Sequence, residues 1–382
     1  MSFEFAAPPR IIFGEGRVRD VPTLAASMGS RALVVEGRSG RGESLVRQLR
    51  DRGIPIASFQ VASEPTISSI EHATTNARRE QCEVVIAFGG GSVIDAAKAI
   101  AALLTNHEPL REYLEVIGNA RPLTNRPAPF IAIPTTAGTG AEVTRNAVLM
   151  AEEERVKVSL RSPLMIPAVA LIDPELTYSL PPAITASTGL DALTQCIEPF
   201  VSPQGNPLTD ALAREGIRRA SGALRRVFHD GSDVSARRDM SIASLCSGLA
   251  LANAKLGAVH GFAAPLCGMF PVPHGVACAR LLPSVAEHNV RALRSRVPGS
   301  PALARYDEVA RIVTGSANAR AEDGVVWLRA LVEELGIPRL SAFGVDEANV
   351  ASIVAAARQA SSMKGNPIEL TDDELVDALR SA

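Results

Sequence analysis

Three places in the second half of the chain carry side chains that could hold a metal ion. In Asp191-Ala-Leu-Thr-Gln195 a carboxylate and an amide lie one turn apart on one face of a helix. His260 precedes Gly261, and His274 sits in Pro273-His274-Gly275. A carboxylate with two imidazoles suits Fe2+, Zn2+ or Ni2+ and leaves coordination positions open for a substrate. Taken singly, each of these residues is better explained as a hydrogen-bonded core or surface group. His72, His107, His229 and His288 are read in that way.

A second kind of chemistry is written in the first half. The run Ala87-Phe88-Gly89-Gly90-Gly91-Ser92-Val93-Ile94-Asp95-Ala96-Ala97-Lys98 follows a strand-like segment and opens a helical one. Backbone N–H groups and the helix dipole at such a junction favour a diphosphate. Glycines let the backbone approach closely, and Ser92 can cap the helix. A tight strand-to-helix turn without a ligand would look the same. Ile133-Pro134-Thr135-Thr136-Ala137-Gly138-Thr139-Gly140 adds hydroxyls and amides for ribose and phosphate, although threonine also favours plain turns. Both runs follow strand ends, where open α/β sheets bind ligands.

These groups need a scaffold, and the apolar pattern describes one. Short apolar runs alternate with amphipathic stretches: strands at 31–35, 54–61, 83–88 and 130–134, and helices at 44–52, 67–79 and 93–104. That alternation argues a parallel sheet covered on both faces. The texture changes near Ile172-Asp-Pro-Glu-Leu-Thr-Tyr-Ser-Leu-Pro-Pro182. Beyond it apolar residues recur at helical spacing, at 184–200, 208–227, 235–254 and on to Leu379, with a loop at 297–301. Residues 1–178 are therefore expected to form an α/β dinucleotide-binding domain. Residues 179–382 are expected to form an all-helical metal and substrate domain, with the glycine cradle and the ligand set facing one another across a cleft.

A chain of 382 residues exceeds what one hydrophobic core usually supports. Its 46% hydrophobic and 21% charged residues are ordinary for a soluble enzyme. A formal charge of −2 gives no general attraction to nucleic acid or anionic membrane. Arg218-Arg219 and Arg225-Arg226 read as solvated helix faces. Cys82, Cys196, Cys246, Cys267 and Cys278 are scattered, with no C-x-x-C pair, which fits a reducing compartment. No signal core precedes Arg10, and no apolar run reaches the about 18 residues that span a bilayer. A cytoplasmic protein is expected.

Together these segments resemble the iron-containing (group III) alcohol dehydrogenases, of the dehydroquinate synthase-like superfamily. The resemblance rests on Gly89-Gly-Gly-Ser-Val-Ile-Asp-Ala-Ala-Lys98, Pro134-Thr-Thr-Ala-Gly-Thr-Gly-Ala-Glu142, Asp173-Pro-Glu-Leu176, Thr188-Gly-Leu-Asp-Ala192, Leu256-Gly-Ala-Val-His260 and Pro273-His-Gly-Val276. These occur in the family's order and spacing, and the similarity runs from Phe13 to Asn366-Pro367. It implies a Rossmann-like α/β N-terminal domain, an all-α helical C-terminal domain, a divalent metal and a homodimer formed through N-terminal strands. The implied cofactor contacts are Gly90, Gly91, Ser92, Asp95, Thr135, Thr136, Thr139, Lys157 and Leu176. The implied metal positions, one Asp and three His in the family, fall on Asp191, Gln195, His260 and His274. Asp191, His260 and His274 would carry the catalysis.

Two departures from the family pattern stand out. Gln195 replaces a histidine ligand, and Ala264 replaces a histidine that would lie near the nicotinamide. A neutral amide oxygen is a poorer donor than imidazole to a first-row ion, so Fe2+ or Zn2+ is expected to bind weakly. The implied reaction is reversible hydride transfer between an alcohol carbon and the nicotinamide of NAD or NADP, with a small alcohol or carbonyl compound as substrate. Without a histidine at 264, the proton would leave through water or a ribose hydroxyl. Three other readings remain open: a metal-independent reductase resembling maleylacetate reductase, a lyase of the dehydroquinate synthase type, and a nucleotide-binding homologue that has lost catalysis.

The run Val34-Val35-Glu36-Gly37-Arg38-Ser39 bears on cofactor choice. NAD-preferring relatives usually carry an Asp where Gly37 stands, and its carboxylate repels a 2′-phosphate. Glycine removes that repulsion, and Arg38 with Ser39 could hold the phosphate. A charge pair at about 4 Å is worth roughly 4 kcal/mol at an effective dielectric of 20, before desolvation. Glu36 should point to the opposite side from residue 37. NADP(H) is therefore the expected preference.

Overall fold

A computed structural model describes residues 2–38 and 40–382. The chain divides into two compact units. One comprises Ala7–Thr136 and Gly140–Thr177. The other comprises Tyr178–Ala382 with Ala137–Thr139 and the N-terminal residues through Ala6.

The first unit is α/β. Its strands are β1 (Ile11–Phe13), β2 (Ala32–Gly37), β3 (Ile56–Val61), β4 (Val84–Gly89), β5 (Phe130–Pro134) and β8 (Val169–Ile172), in the order β1-β8-β5-β4-β2-β3, and every pairing is parallel. An antiparallel hairpin, β6 (Asn146–Ala151) with β7 (Val156–Arg161), stands apart from this sheet. The helices are α1 (Val21–Ala26), α2 (Glu43–Asp51), α3 (Ile67–Arg79), α4 (Gly91–Thr105) and the single turn α5 (Leu110–Tyr113). Leu33 and Val35 join the apolar layer that includes α3 and α4, while Ala32 and Val34 join the opposite layer with α1 and α2. Both faces of the sheet are covered, so β2, β4 and β5 show unbroken apolar runs rather than alternation.

Helix α3 occupies the span expected from periodicity, because Thr66 and Ser69 form a reciprocal cap at its start. The strands β1 and β8 and the hairpin were not foreseen. A run of three or four residues carries little periodicity, and β1 finds its partner only across most of the unit's sequence.

The second unit is helical, with no strand beyond Ile172 among the described residues. It contains α6 (Pro182–Val201), α7 (Pro207–His229), α8 (Val234–Asn253), α9 (Ala258–Met269), α10 (His274–Arg296), α11 (Pro301–Thr314), α12 (Ala321–Glu334), α13 (Glu347–Gln359) and α14 (Asp372–Arg380). Prolines at the first turn open α6, α7 and α11, where a missing N–H costs nothing. Asn206 caps α7 and Ser300 caps α11, so the expected loop at 297–301 ends one residue early. From Thr185 to Val201 only Thr188 escapes burial, which makes α6 the central helix of this unit. Polar groups inside it cost free energy unless they are partnered. No single helix is long and apolar enough to cross a membrane.

Candidate functional site

The nucleotide-like motifs meet at the carboxyl ends of β4 and β5. Gly89 pairs with Pro134 in the sheet, and the Thr135 amide donates to the Gly89 carbonyl at 3.0 Å. A side chain at Gly89 would collide with Val93, and one at Gly90 would press on the Thr136 hydroxyl at 3.4 Å. The glycines thus let the β4–α4 turn fold against the threonine turn. Gly90 is the N-cap of α4 and offers no side chain, whereas Ser92 lies within the first turn. The expectation that Ser92 caps the helix is corrected: the helix starts two residues too early for it, at Gly91. The first-turn amides of this fifteen-residue helix form the kind of terminus that receives phosphate.

Neighbouring residues organise this edge. Asp173, almost fully buried, accepts from the amides of Gly16 (3.0 Å), Val18 (3.0 Å) and Glu175 (3.1 Å), so Asp173-Pro-Glu-Leu176 pins a loop to the sheet end. Arg41, which the sequence did not single out, donates to the Leu176 carbonyl at 3.1 Å and the Thr135 hydroxyl at 3.2 Å. Lys157 pairs with Glu64 at 3.1 Å. Gly37 ends β2 and Arg38 is exposed, while Ser39 lies outside the described residues. Glu36 is buried with Oε2 unpartnered, and a side chain on Gly42 would strike that oxygen. Burial and the Glu43 charge push the Glu36 carboxyl up. Thr139 falls with the helical unit.

Asp95, half-buried, belongs to a charge cluster with the buried Lys98. Burial raises its carboxyl to about 6 against the pull of Lys98. Lys98 donates to the Thr144 hydroxyl (2.7 Å) and the Asn146 carbonyl (2.9 Å), and burial lowers its ammonium to about 8. Burial also raises Glu142 to about 7, with Lys98 opposing. A carboxyl raised in the folded state contributes its stability below pH 4.5 and loses it as pH rises through 7. Glu142→Gln should therefore gain on the wild type between pH 4.5 and 8 by about 3 kcal/mol. Thermal unfolding of both proteins across that range checks this, and a constant difference would refute it.

The metal-type residues converge within the helical unit. Asp191, Gln195 and Glu198 follow one another along one face of α6. His260 stands in the first turn of α9, and His274 is the first residue of α10. Asp191 Oδ1 lies 3.5 Å from Nε2 of His260 and 3.5 Å from Nε2 of His274. Cys278, one turn beyond His274, completes the group, and its sulfur, the Asp191 oxygen and the two nitrogens all lie within 4.8 Å of one another.

Several contacts hold this arrangement. Glu198 accepts from the Val259 amide at 2.7 Å and from His260 Nδ1 at 2.6 Å, so Nε2 is the nitrogen left to face the cluster. Asn366 accepts from the Ala258 amide at 3.1 Å. Two side chains from outside α9 thereby satisfy its first amides and fix the ring of His260. A side chain on Gly275 would meet the Ser187 carbonyl oxygen at 2.5 Å, so glycine there lets α10 bring His274 against α6. The Gln195 amide nitrogen donates to the Gly138 carbonyl at 3.3 Å, which leaves Oε1 as the unpartnered end. Ala264 is exposed on α9.

A bound cation fits these residues on two counts. Asp191 Oδ1 is a buried acceptor without a hydrogen-bond partner, which a native fold rarely tolerates. The donor types, carboxylate, imidazole and thiol, are those of zinc and iron sites. Burial works to raise the Asp191 carboxyl, but His274 and His260 outweigh it and hold it below its ordinary value. Burial pushes the Cys278 thiol up, and a nearby cation would act in the opposite sense. Sequence reasoning missed Cys278, Glu198 and Arg41. Helical spacing from His274 and Gln195 was the available signal for the first two.

Comparison with known proteins bears on these observations. Residues 8–174 match the family model described as iron-containing alcohol dehydrogenase, and residues 185–382 match the model for the C-terminal part of the Fe-containing alcohol dehydrogenase family. The chain is 34% identical to alcohol dehydrogenase 4 of Saccharomyces cerevisiae (strain YJM789), over 99% of this chain and 98% of that protein. It is also 34% identical to 1,3-propanediol dehydrogenase of Klebsiella pneumoniae, over 100% and 98% respectively. The solved structure of an alcohol dehydrogenase from Oenococcus oeni superposes with a TM-score of 0.91 at 30% identity, covering 100% of both chains.

Proposed function

The chain belongs to the iron-containing alcohol dehydrogenase family, and from that premise we propose that Asp191, His260 and His274 hold the ion beside which a small primary alcohol and its aldehyde interconvert. It is an NAD(P)-dependent oxidoreductase acting on CH–OH groups, with a divalent metal cofactor. The observation that carries the finer reading is the buried Asp191 oxygen, unpartnered between two imidazoles. When bound, the ion supplies a Lewis acid for the substrate oxygen and the nicotinamide supplies the hydride carrier. Asp191 contributes negative charge, Glu198 orients His260, and Gly275 lets His274 close on the other two. With alanine at 264, the hydroxyl proton leaves to solvent rather than to an imidazole.

Gly90, Gly91, Ser92, Thr135, Thr136, Lys157 and Leu176 are assigned to the dinucleotide, supported by the adjoining β4 and β5 turns. We assign the same role to Thr139 by the resemblance alone. Arg41 adds a cation beside two of these residues, and Gly37 carries no carboxylate at the last residue of β2, the one at Glu36 being buried against Gly42, so NADP(H) is the preferred form. Among the described residues a Cβ at Gly37 would meet Val93 alone, at 3.9 Å, so a side chain can start there without collision. Gly37→Asp should shift the ratio of kcat/KM values toward NAD(H) by at least about tenfold, equivalent to about 1.4 kcal/mol. Wild-type protein that already favours NAD(H) tenfold would sink this assignment.

The reading is tested by following cofactor absorbance with short alcohols and aldehydes, using protein stripped by chelator and then reloaded with Fe2+ or Zn2+. Activity should vanish on stripping and return on loading. Undiminished turnover in stripped protein would instead favour a reductase that needs no metal. Two further assignments accompany it. None of the five cysteines forms a disulfide among the described residues, which supports a reducing, cytoplasmic location. Among the described residues strand β1 pairs with β8 alone and exposes Ile11 at the sheet edge, which supports a homodimer through the N-terminal region.

A further inference from the structure

We infer that Cys278 is itself a metal ligand, so that the ion is held by a closed Asp191–His260–His274–Cys278 set rather than by the Gln195 amide. This rests on the metal-binding reading above. Zinc bonds are about 2.0–2.1 Å to nitrogen or oxygen and about 2.3 Å to sulfur. In a tetrahedron these lengths put neighbouring nitrogen and oxygen ligands about 3.4 Å apart, and nitrogen and sulfur about 3.6 Å apart. The corresponding distances here are 3.5 Å from Asp191 Oδ1 to each Nε2, and 3.6 and 3.7 Å from Cys278 Sγ to Nε2 of His274 and His260. Four edges of the polyhedron thus already have the lengths a bound ion would impose.

Hydrogen bonding accounts for the arrangement less well. One S–H can serve only one of the two imidazoles, and Asp191 Oδ1 would still lack a partner. A central cation satisfies all four atoms at once. Gln195, meanwhile, is anchored through its amide nitrogen to Gly138. On binding, the Cys278 S–H bond breaks, a sulfur–metal bond forms, and the proton passes to solvent.

A thiolate changes what the site selects. Soft sulfur favours Zn2+, whereas carboxylate and water suit Mg2+ and Mn2+. Four protein ligands also leave no vacant position, so a substrate oxygen must enter by expansion to five-coordination. The chain should therefore retain Zn2+ or Co2+ in preference to Mn2+, and Zn2+ should leave Cys278→Ser at least about tenfold more readily, since losing even a partner behind a ligand costs about 10–100-fold.

The decisive measurement is spectroscopic. Full-length protein, stripped and loaded with Co2+, should show a thiolate-to-cobalt charge-transfer band in the near ultraviolet beside intense visible bands. Cys278→Ser and Cys278→Ala should bind Co2+ without the ultraviolet band, while Cys267→Ser should keep it. X-ray absorption of the zinc-loaded wild type should resolve one sulfur at about 2.3 Å, a result that needs no variant to fold. Bound Co2+ without that band, or a band surviving in Cys278→Ala, would overturn the Cys278 assignment and leave the wider reading standing. Failure to bind Co2+ or Zn2+ at all would overturn both.

Discussion

Asp191→Asn should lose its metal and about a thousandfold in kcat/KM while retaining its affinity for NADPH. Asp191 is the only carboxylate among the four clustered ligand atoms, and its loss removes the charge that offsets a divalent cation. Lewis-acid assistance is worth several kcal/mol, and about 4 kcal/mol corresponds to roughly a thousandfold in rate. The substitution preserves shape, so misfolding is not the expected cause. Stability supplies a second reading with a characteristic sign. Without metal, the wild type holds an unpartnered buried oxygen, a burden of about 1–3 kcal/mol. His274 and His260 hold the Asp191 carboxyl below its ordinary value and so offset that burden at neutral pH, and metal-free Asp191→Asn should therefore be no more stable than metal-free wild type. At a hundredfold excess of metal over Kd, the wild type alone should gain about 2.7 kcal/mol. Metal analysis, steady-state kinetics and thermal unfolding with and without zinc decide the matter. A variant that keeps both its metal and its rate would remove Asp191 from the site.

Glu198→Gln should weaken metal binding about 10–100-fold, the usual penalty for losing a carboxylate behind a histidine ligand. Its two oxygens accept from His260 Nδ1 and the Val259 amide, fixing both the tautomer and the start of α9. The amide keeps one acceptor but presents N–H to its other neighbour, so the imidazole loses its orienting partner. Glu198 touches neither cofactor nor substrate in this reading, so it is a positioning residue. The loss should consequently appear in the Kd for Zn2+, and kcat should recover substantially when metal is supplied in excess. Unchanged metal affinity with a collapsed kcat would assign Glu198 a direct chemical role instead.

The motifs were legible in sequence because each is local. Gly89 to Ser92 announced a strand-to-helix junction and Thr135-Thr136 a turn after a strand, and the switch of apolar period near residue 172 announced a helical second half. Asp191 and Gln195 could be placed on one face from their spacing alone. Cys278 stood one turn from His274 with the same spacing, yet a cysteine in a helix is ordinarily a small buried apolar residue. Only the approach of α6, α9 and α10 put its sulfur beside two imidazoles and a carboxylate.

By itself, then, the sequence determined four of the six sheet strands, the helices after residue 182 and which side chains share a helix face, since these follow from local apolar patterns. The tertiary structure decided the rest: that Glu198 stands behind His260, that Arg41 reaches Thr135 and Leu176, and that Glu36 is buried against Gly42. Those outcomes depend on packing between segments far apart in the chain. Side chains there meet at distances set by interhelical approach and by glycines such as Gly275, which no local window contains.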